Sequence, residues 1–148
     1  MKIQNVRLQI VRENIGEYND YDFKVNSPTS VVNVIVTVFD TLKYDTQENF
    51  GALFLNTKNK VIGAELITRG TSDSSLVSPR DIIQKALIIG ATRLIVFHNH
   101  PSGDTTPSKE DMDITKRLKD SCNIMGIDLL DHIIIGDDYT SLKEDGSM

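Results

Sequence analysis

The sequence predicts an α/β domain, a mixed β-sheet packed with helices, and three observations predict it. Short strand-like apolar runs alternate along the chain with segments of helical spacing. Three pairs, Ser27-Pro28, Ser78-Pro79 and Thr106-Pro107, read as an N-cap followed by proline at the first helical position. A length of 148 residues, 39% apolar and 25% charged, fits one domain, with enough surface buried to build a core without disulfides or a structural metal.

In chain order, Val6, Leu8 and Ile10 fall at every second position and predict a half-buried strand over 5–13. The polar stretch 14–26 reads as a loop. Ser27-Pro28 then opens a helix to about Tyr44, with Val32, Ile35, Val36 and Phe39 on one face, against the weak helix preference of β-branched residues. Apolar runs at 50–56 and 61–68 flank Lys58-Asn59-Lys60 and predict a β-hairpin. A second helix runs from Ser78-Pro79 to Gly90, its stripe formed by Ile82, Ile83, Ala86, Leu87 and Ile89. Leu94 to Phe97 is a continuous apolar run, the mark of a strand covered on both faces. Thr106-Pro107 starts a third helix closed by Gly126, and strands follow over 127–135 and near 139–142. The strand and helix of about 1–47 thus precede a core of about 48–142.

Sixteen basic against twenty-one acidic residues give a net charge of -5, which argues against binding a phosphate backbone. The single cysteine, Cys122, has apolar neighbours and suits a reduced, buried thiol. With no secretory-signal pattern at the N-terminus and no membrane-length apolar run, the expected location is the cytoplasm.

Chemistry concentrates where the run 94–97 meets His98-Asn99-His100-Pro101. In extended backbone His98 and His100 leave the same face, roughly 6.6 Å apart along the chain. Pro101 stops the strand, and the loop containing Gly103 brings the next helix start back beside them. There Ser108 and Asp111, three apart, share a helical face. Two neutral imidazoles and a carboxylate are what zinc accepts while keeping its fourth tetrahedral position for water. Ser108 and Asp111 also suit a helix-start pair that satisfies free N–H groups.

The run from His98 to Asp104, followed by Pro107-Ser108 and Asp111, resembles the RadC branch of the JAB/MPN metalloproteins, whose JAMM motif is His-x-His-Pro, a spacer, then Ser-x-x-Asp. The likeness extends from about Glu48 to Leu142, through Arg69-Gly70-Thr71, Ser78-Pro79-Arg80 and the run from Leu130 to Ile133. It implies a JAB/MPN fold, similar in layout to cytidine deaminases, and a zinc-dependent hydrolase of peptide or isopeptide bonds that binds one ion. It carries His98, His100 and Asp111 over as metal ligands and Ser108 as a partner of the reacting oxygen. The family's general acid and base is a glutamate ahead of a Gly-apolar-apolar run, which makes it Glu48 here, before Gly51-Ala52-Leu53, with Glu65 as the fallback. Asp131 and His132 read either as orienting the ligands or as a pair buried at a strand start. Asp113 reads as solvated.

Many members of this branch resemble DNA-binding proteins ahead of the domain, with helix-hairpin-helix segments. This sequence opens instead with its own strand and helix, so a DNA-processing role finds no support in these residues. A zinc deaminase needs His-x-Glu and Pro-Cys-x-x-Cys, which one cysteine excludes. The strongest rival is a non-enzymatic interaction module, the role of JAB/MPN members that lack the motif. The expected partner is a peptide or protein substrate.

Overall fold

The computed structural model describes residues 23–70 and 76–148. The strand expected over 5–13, and most of the loop after it, lie outside the described residues. In order come helix α1 (Pro28–Val38), a 3-10 turn (Leu42–Tyr44), strands β1 (Phe50–Leu55) and β2 (Val61–Thr68), helix α2 (Pro79–Ile89), strand β3 (Arg93–Asn99), helix α3 (Lys109–Ile124), and strands β4 (Asp128–Ile135) and β5 (Tyr139–Ser141). The sheet order is β2-β1-β3-β4-β5. β3 and β4 are parallel, joined through α3, and the other neighbours are antiparallel. The mixed sheet packed with helices is therefore the one expected.

Helix α1 starts as predicted. The Ser27 hydroxyl accepts from the Ser30 N–H, and the Ser30 hydroxyl accepts from the Ser27 N–H. Despite its valines the segment is helical because Val31, Val34 and Ile35 bury against the sheet, and tertiary packing outweighs propensity. Two details differ from expectation. Val32 and Val36 are only half-buried, and the helix stops at Val38, well short of Tyr44. Phe39 leaves helical geometry (φ -123°, ψ 66°), and its ring lies 5.5 Å from that of Phe97. The chain then passes into the 3-10 turn.

The hairpin forms as predicted. The Asn56 side-chain oxygen accepts from the N–H groups of Lys58 and Lys60, and Asn59 takes the left-handed conformation (φ 59°) that asparagine tolerates. Just ahead of α1, Lys24 pairs antiparallel with Lys60, so the end of the expected loop lies along the edge of the hairpin.

Each sheet face has its own core. Phe50, Ala52, Leu94 and Val96 meet Ile82 and Ala86 of α2 and Ile114, Leu118 and Cys122 of α3. Leu53, Ile95, Phe97, Ile133 and Ile135 meet α1 on the opposite face. Cys122 is fully buried, and burial pushes its thiol up to about 11, as befits an inert core thiol.

This layout places the site. Phe50 pairs with His98, so Glu48, two residues ahead of β1, stands level with the carboxyl end of β3. After that end the His100 N–H still bonds to the Ile135 carbonyl. The chain turns over the end of β4, where the Asp137 N–H bonds to the Gly103 carbonyl. Gly103 (φ 84°) makes the turn, and a side chain on Gly136 would collide with the Gly103 backbone.

Candidate metal centre

One ligand atom each from Glu48, His98, His100 and Asp111 lie within 4.8 Å of one another. The His98 and His100 Nε2 atoms are 2.9 Å apart. The Asp111 Oδ1 is 3.2 Å from the first and its Oδ2 3.3 Å from the second, while the Glu48 Oε1 is 3.9 Å from His98 Nε2. His98 and Asp111 are buried, and the side chains of His100 and Glu48 keep 16% and 19% of their exposure, so the group opens to solvent on their side.

The start of α3 aims Asp111. Here the expectation that Thr106 caps the helix and Ser108 lies inside its first turn is corrected. Thr106 gives both its N–H and its hydroxyl hydrogen to the Asp104 carboxylate, and the N-cap is Ser108. The Ser108 hydroxyl accepts from the Asp111 N–H (3.0 Å), and the Ser108 N–H donates to Asp111 Oδ2 (2.8 Å), a reciprocal capping box. The bond that closes the box thus orients the carboxylate that faces the histidines.

Hydrogen bonds also fix which imidazole nitrogens carry protons. His100 Nδ1 lies 2.8 Å from the Asp104 carbonyl, which only accepts, so Nδ1 carries a proton and in the neutral ring the lone pair is on Nε2. For His98 the assignment passes through two more residues. The Thr115 hydroxyl donates to the Asp111 carbonyl (2.6 Å), so it accepts from His132 Nδ1 (2.6 Å). His132 Nε2 is then the acceptor for His98 Nδ1 (2.8 Å), so in the neutral His98 ring the lone pair is on Nε2 as well. In these tautomers two lone pairs face each other at 2.9 Å beside a carboxylate, an arrangement that attracts a cation, either a proton or a metal ion, into the space among them. The 2.9 Å between the imidazole nitrogens, and the 3.2 and 3.3 Å from each to a different oxygen of Asp111, are of the size of the ligand–ligand edge of roughly 3.3 Å in a tetrahedral zinc site with bonds of about 2.0–2.1 Å. The donor set and its geometry therefore fit a divalent metal.

The electrostatics agree. Burial alone would raise the Asp111 carboxyl, but the histidines and the Ser108 N–H outweigh it and hold the group well below the usual carboxylate range. Asp111 raises His100 against the opposing effect of burial, because its carboxylate accepts from His100 Nε2 when that nitrogen is protonated. His132, fully buried beside His98, is held far below the usual histidine range, so it is neutral.

Asn99, between the histidines, ties down the segment that carries Glu48. Its side-chain oxygen accepts from the Asn49 N–H (2.8 Å), and its amide donates to the Gln47 carbonyl (2.9 Å), so both neighbours of Glu48 are held. Glu65 lies elsewhere, paired with Lys85 at 2.5 Å. Asp113 is exposed. Asp131 faces away from the histidines and accepts from the Ser141 hydroxyl and the Lys143 N–H. Asn99 and Thr115 went unrecognised in the sequence, whereas His132, read there as either orienting the ligands or buried at a strand start, is buried and bonded to His98. The available signals were a polar residue in an apolar strand, and the four-residue spacing that sets Thr115 one turn beyond Asp111.

A mixed sheet with helices on both faces, His-x-His at a strand end and Ser-x-x-Asp at the next helix start define a domain of the JAB/MPN type. The chain belongs to the RadC-like JAB domain family, whose family model matches residues 25–147. It is similar to a UPF0758 protein of Caldanaerobacter subterraneus subsp. tengcongensis, 45% identical over 126 residues, which cover 84% of this chain and 53% of the relative. The corresponding figures are 48% over 124 residues, 83% and 53%, for a UPF0758 protein of Staphylococcus haemolyticus. For UPF0758 protein YsxA of Bacillus subtilis they are 43% over 129 residues, 86% and 54%. The chain spans about half the length of these relatives. Among the described residues no helix is long and apolar enough to cross a membrane.

Proposed function

We propose that the chain is a zinc-dependent hydrolase of the JAMM type, acting on a peptide or isopeptide bond in the cytoplasm. The observation that carries this reading is the convergence of two imidazole Nε2 atoms on one carboxylate, with a second carboxylate, Glu48, at the solvent-facing side. His98, His100 and Asp111 would hold one ion, which when bound supplies Lewis-acid activation of water at neutral pH. Glu48 takes the proton of the attacking water as its oxygen bonds to the amide carbon, and returns it to the amine nitrogen as the C–N bond breaks. Ser108 keeps a hydroxyl hydrogen beyond the bond it accepts in the cap, and donates it to the carbonyl oxygen as charge develops there. The test is a library of quenched peptides and isopeptide-linked model substrates, incubated with zinc-loaded and chelated protein. Cleavage only by the loaded sample is expected. Zinc-loaded protein that cleaves neither class would contradict the hydrolase and favour an interaction module.

Ser108 has two roles here, and two substitutions separate them. Ser108→Ala is expected to lose about 1 kcal/mol of stability with the cap and to lower kcat by roughly 10²-fold. Ser108→Gly, a tolerated cap, should recover most of the stability and none of the kcat. Melting temperature and turnover measured on both variants check this, and a fully active Ser108→Gly contradicts the oxyanion role.

Zinc affinity should depend on pH with a definite sign. A proton on His100 Nε2 occupies the lone pair the ion needs, and Asp111 raises the pKa of that imidazole. As pH falls through that raised value, apparent affinity should drop by about tenfold per unit while one proton is displaced, and it should level off above it. Competition titrations against a chromophoric chelator across pH 5 to 8 would show the slope.

A further inference from the structure

His98 and Asp111 are joined twice: through the space between His98 Nε2 and Asp111 Oδ1, and through a buried chain of hydrogen bonds behind them. That chain runs from the His98 Nδ1–H to His132 Nε2, from the His132 Nδ1–H to Thr115 Oγ1, and from the Thr115 hydroxyl to the backbone carbonyl of Asp111 itself. Each donor has one acceptor, and the single Thr115 hydrogen sets the direction of the whole series. Phe50 seals it. Its ring stacks on His98 at 5.9 Å and 11°, and meets His132 edge-on at 5.5 Å and 69°. His98 and His132 are fully buried and Thr115 is 2% exposed, which leaves solvent no ready route to replace a lost partner.

We propose that Thr115 and His132 are positioning residues that lock the tautomer and ring angle of His98 and bind it to Asp111, so that two ligands of the metal are held as one unit. This rests on the reading that the group holds zinc. Neither residue touches the ion. Their contribution is to hold the neutral His98 ring as its Nδ1–H tautomer at a fixed angle, and partners of this kind typically change metal affinity by about 10- to 100-fold.

Thr115→Val keeps the branched shape and removes the hydroxyl, and Thr115→Ser keeps the hydroxyl. Zinc affinity is measured by chelator competition, histidine tautomers by long-range proton–nitrogen spectra, and melting temperature on the metal-free proteins. The expected result is a zinc affinity about 10- to 100-fold weaker in Thr115→Val, with its histidines departing from the Nδ1–H forms, while Thr115→Ser stays close to wild type in both. A merely structural role would lower the melting temperature of Thr115→Val and leave its zinc affinity and tautomers unchanged, and that result overturns the proposal. Wild-type protein that binds no zinc overturns the metal reading and this inference with it; equal affinity in wild type and Thr115→Val overturns the inference alone. Should Thr115→Val not fold, the wild-type spectrum still decides, because an Nε2–H proton on His98 or His132 contradicts the proton order directly.

Discussion

Glu48→Gln is expected to lower turnover by about 10²- to 10⁴-fold while zinc stays bound, the usual worth of a general acid and base. Glutamine preserves the shape and removes the ability to take a proton. The segment around it should hold its position, because Gln47 and Asn49 are tied to Asn99 through groups the substitution leaves in place. His98, His100 and Asp111 remain to bind the ion, so a metal assay on the inactive variant separates loss of proton transfer from loss of the site. Glu65→Gln is the control: Glu65 is paired with Lys85 away from the group, and its replacement should leave turnover near wild type. Full activity in Glu48→Gln would remove Glu48 from the mechanism.

Replacing His98 and His100 together with alanine should abolish zinc retention, because one carboxylate from α3 and a more distant Glu48 are left. The variant should be measurably less stable, since His98 is fully buried and its loss opens a cavity beside Phe50 and strands His132 Nε2 without its donor. Removing zinc from the wild type is a different perturbation. Both cores are built from apolar side chains packed on one another, with Phe50 stacked on His98 where one of them meets the group, so the chelated protein should keep its circular dichroism and unfold cooperatively. Stoichiometric zinc in the double variant would contradict the ligand assignment.

How much of this was legible in the sequence depends on how local each feature is. Caps, the hairpin turn and the buried run 94–97 are written in neighbouring residues, and the elements they predict are present. The four residues that converge were also readable, three from spacing and Glu48 from family resemblance. The end of α1 was not, because it is set by Phe39 turning toward Phe97, nearly sixty positions away in the chain. Ser108 as the cap was obscured by a more conspicuous Thr106-Pro107, whose threonine is engaged by Asp104. His132 was ambiguous for a subtler reason. The register between β3 and β4 shifts between Leu94 and Ile95, so Leu94 faces Leu129 while Ile95 faces Asp131. That irregularity reverses the alternation of side chains, sending Asp131 away from the histidines and His132 toward them, and nothing in the local pattern announces it.

On the proposed reading one zinc ion, held by His98, His100 and Asp111, is required for hydrolysis. The most direct measurement adds zinc stepwise to metal-depleted protein while following cleavage of a substrate from the peptide library. Turnover should rise in proportion to added metal and reach its plateau at one equivalent, with no rise in the His98→Ala, His100→Ala protein. Cleavage that is already complete without zinc, or a plateau that arrives equally in the double variant, would contradict the account.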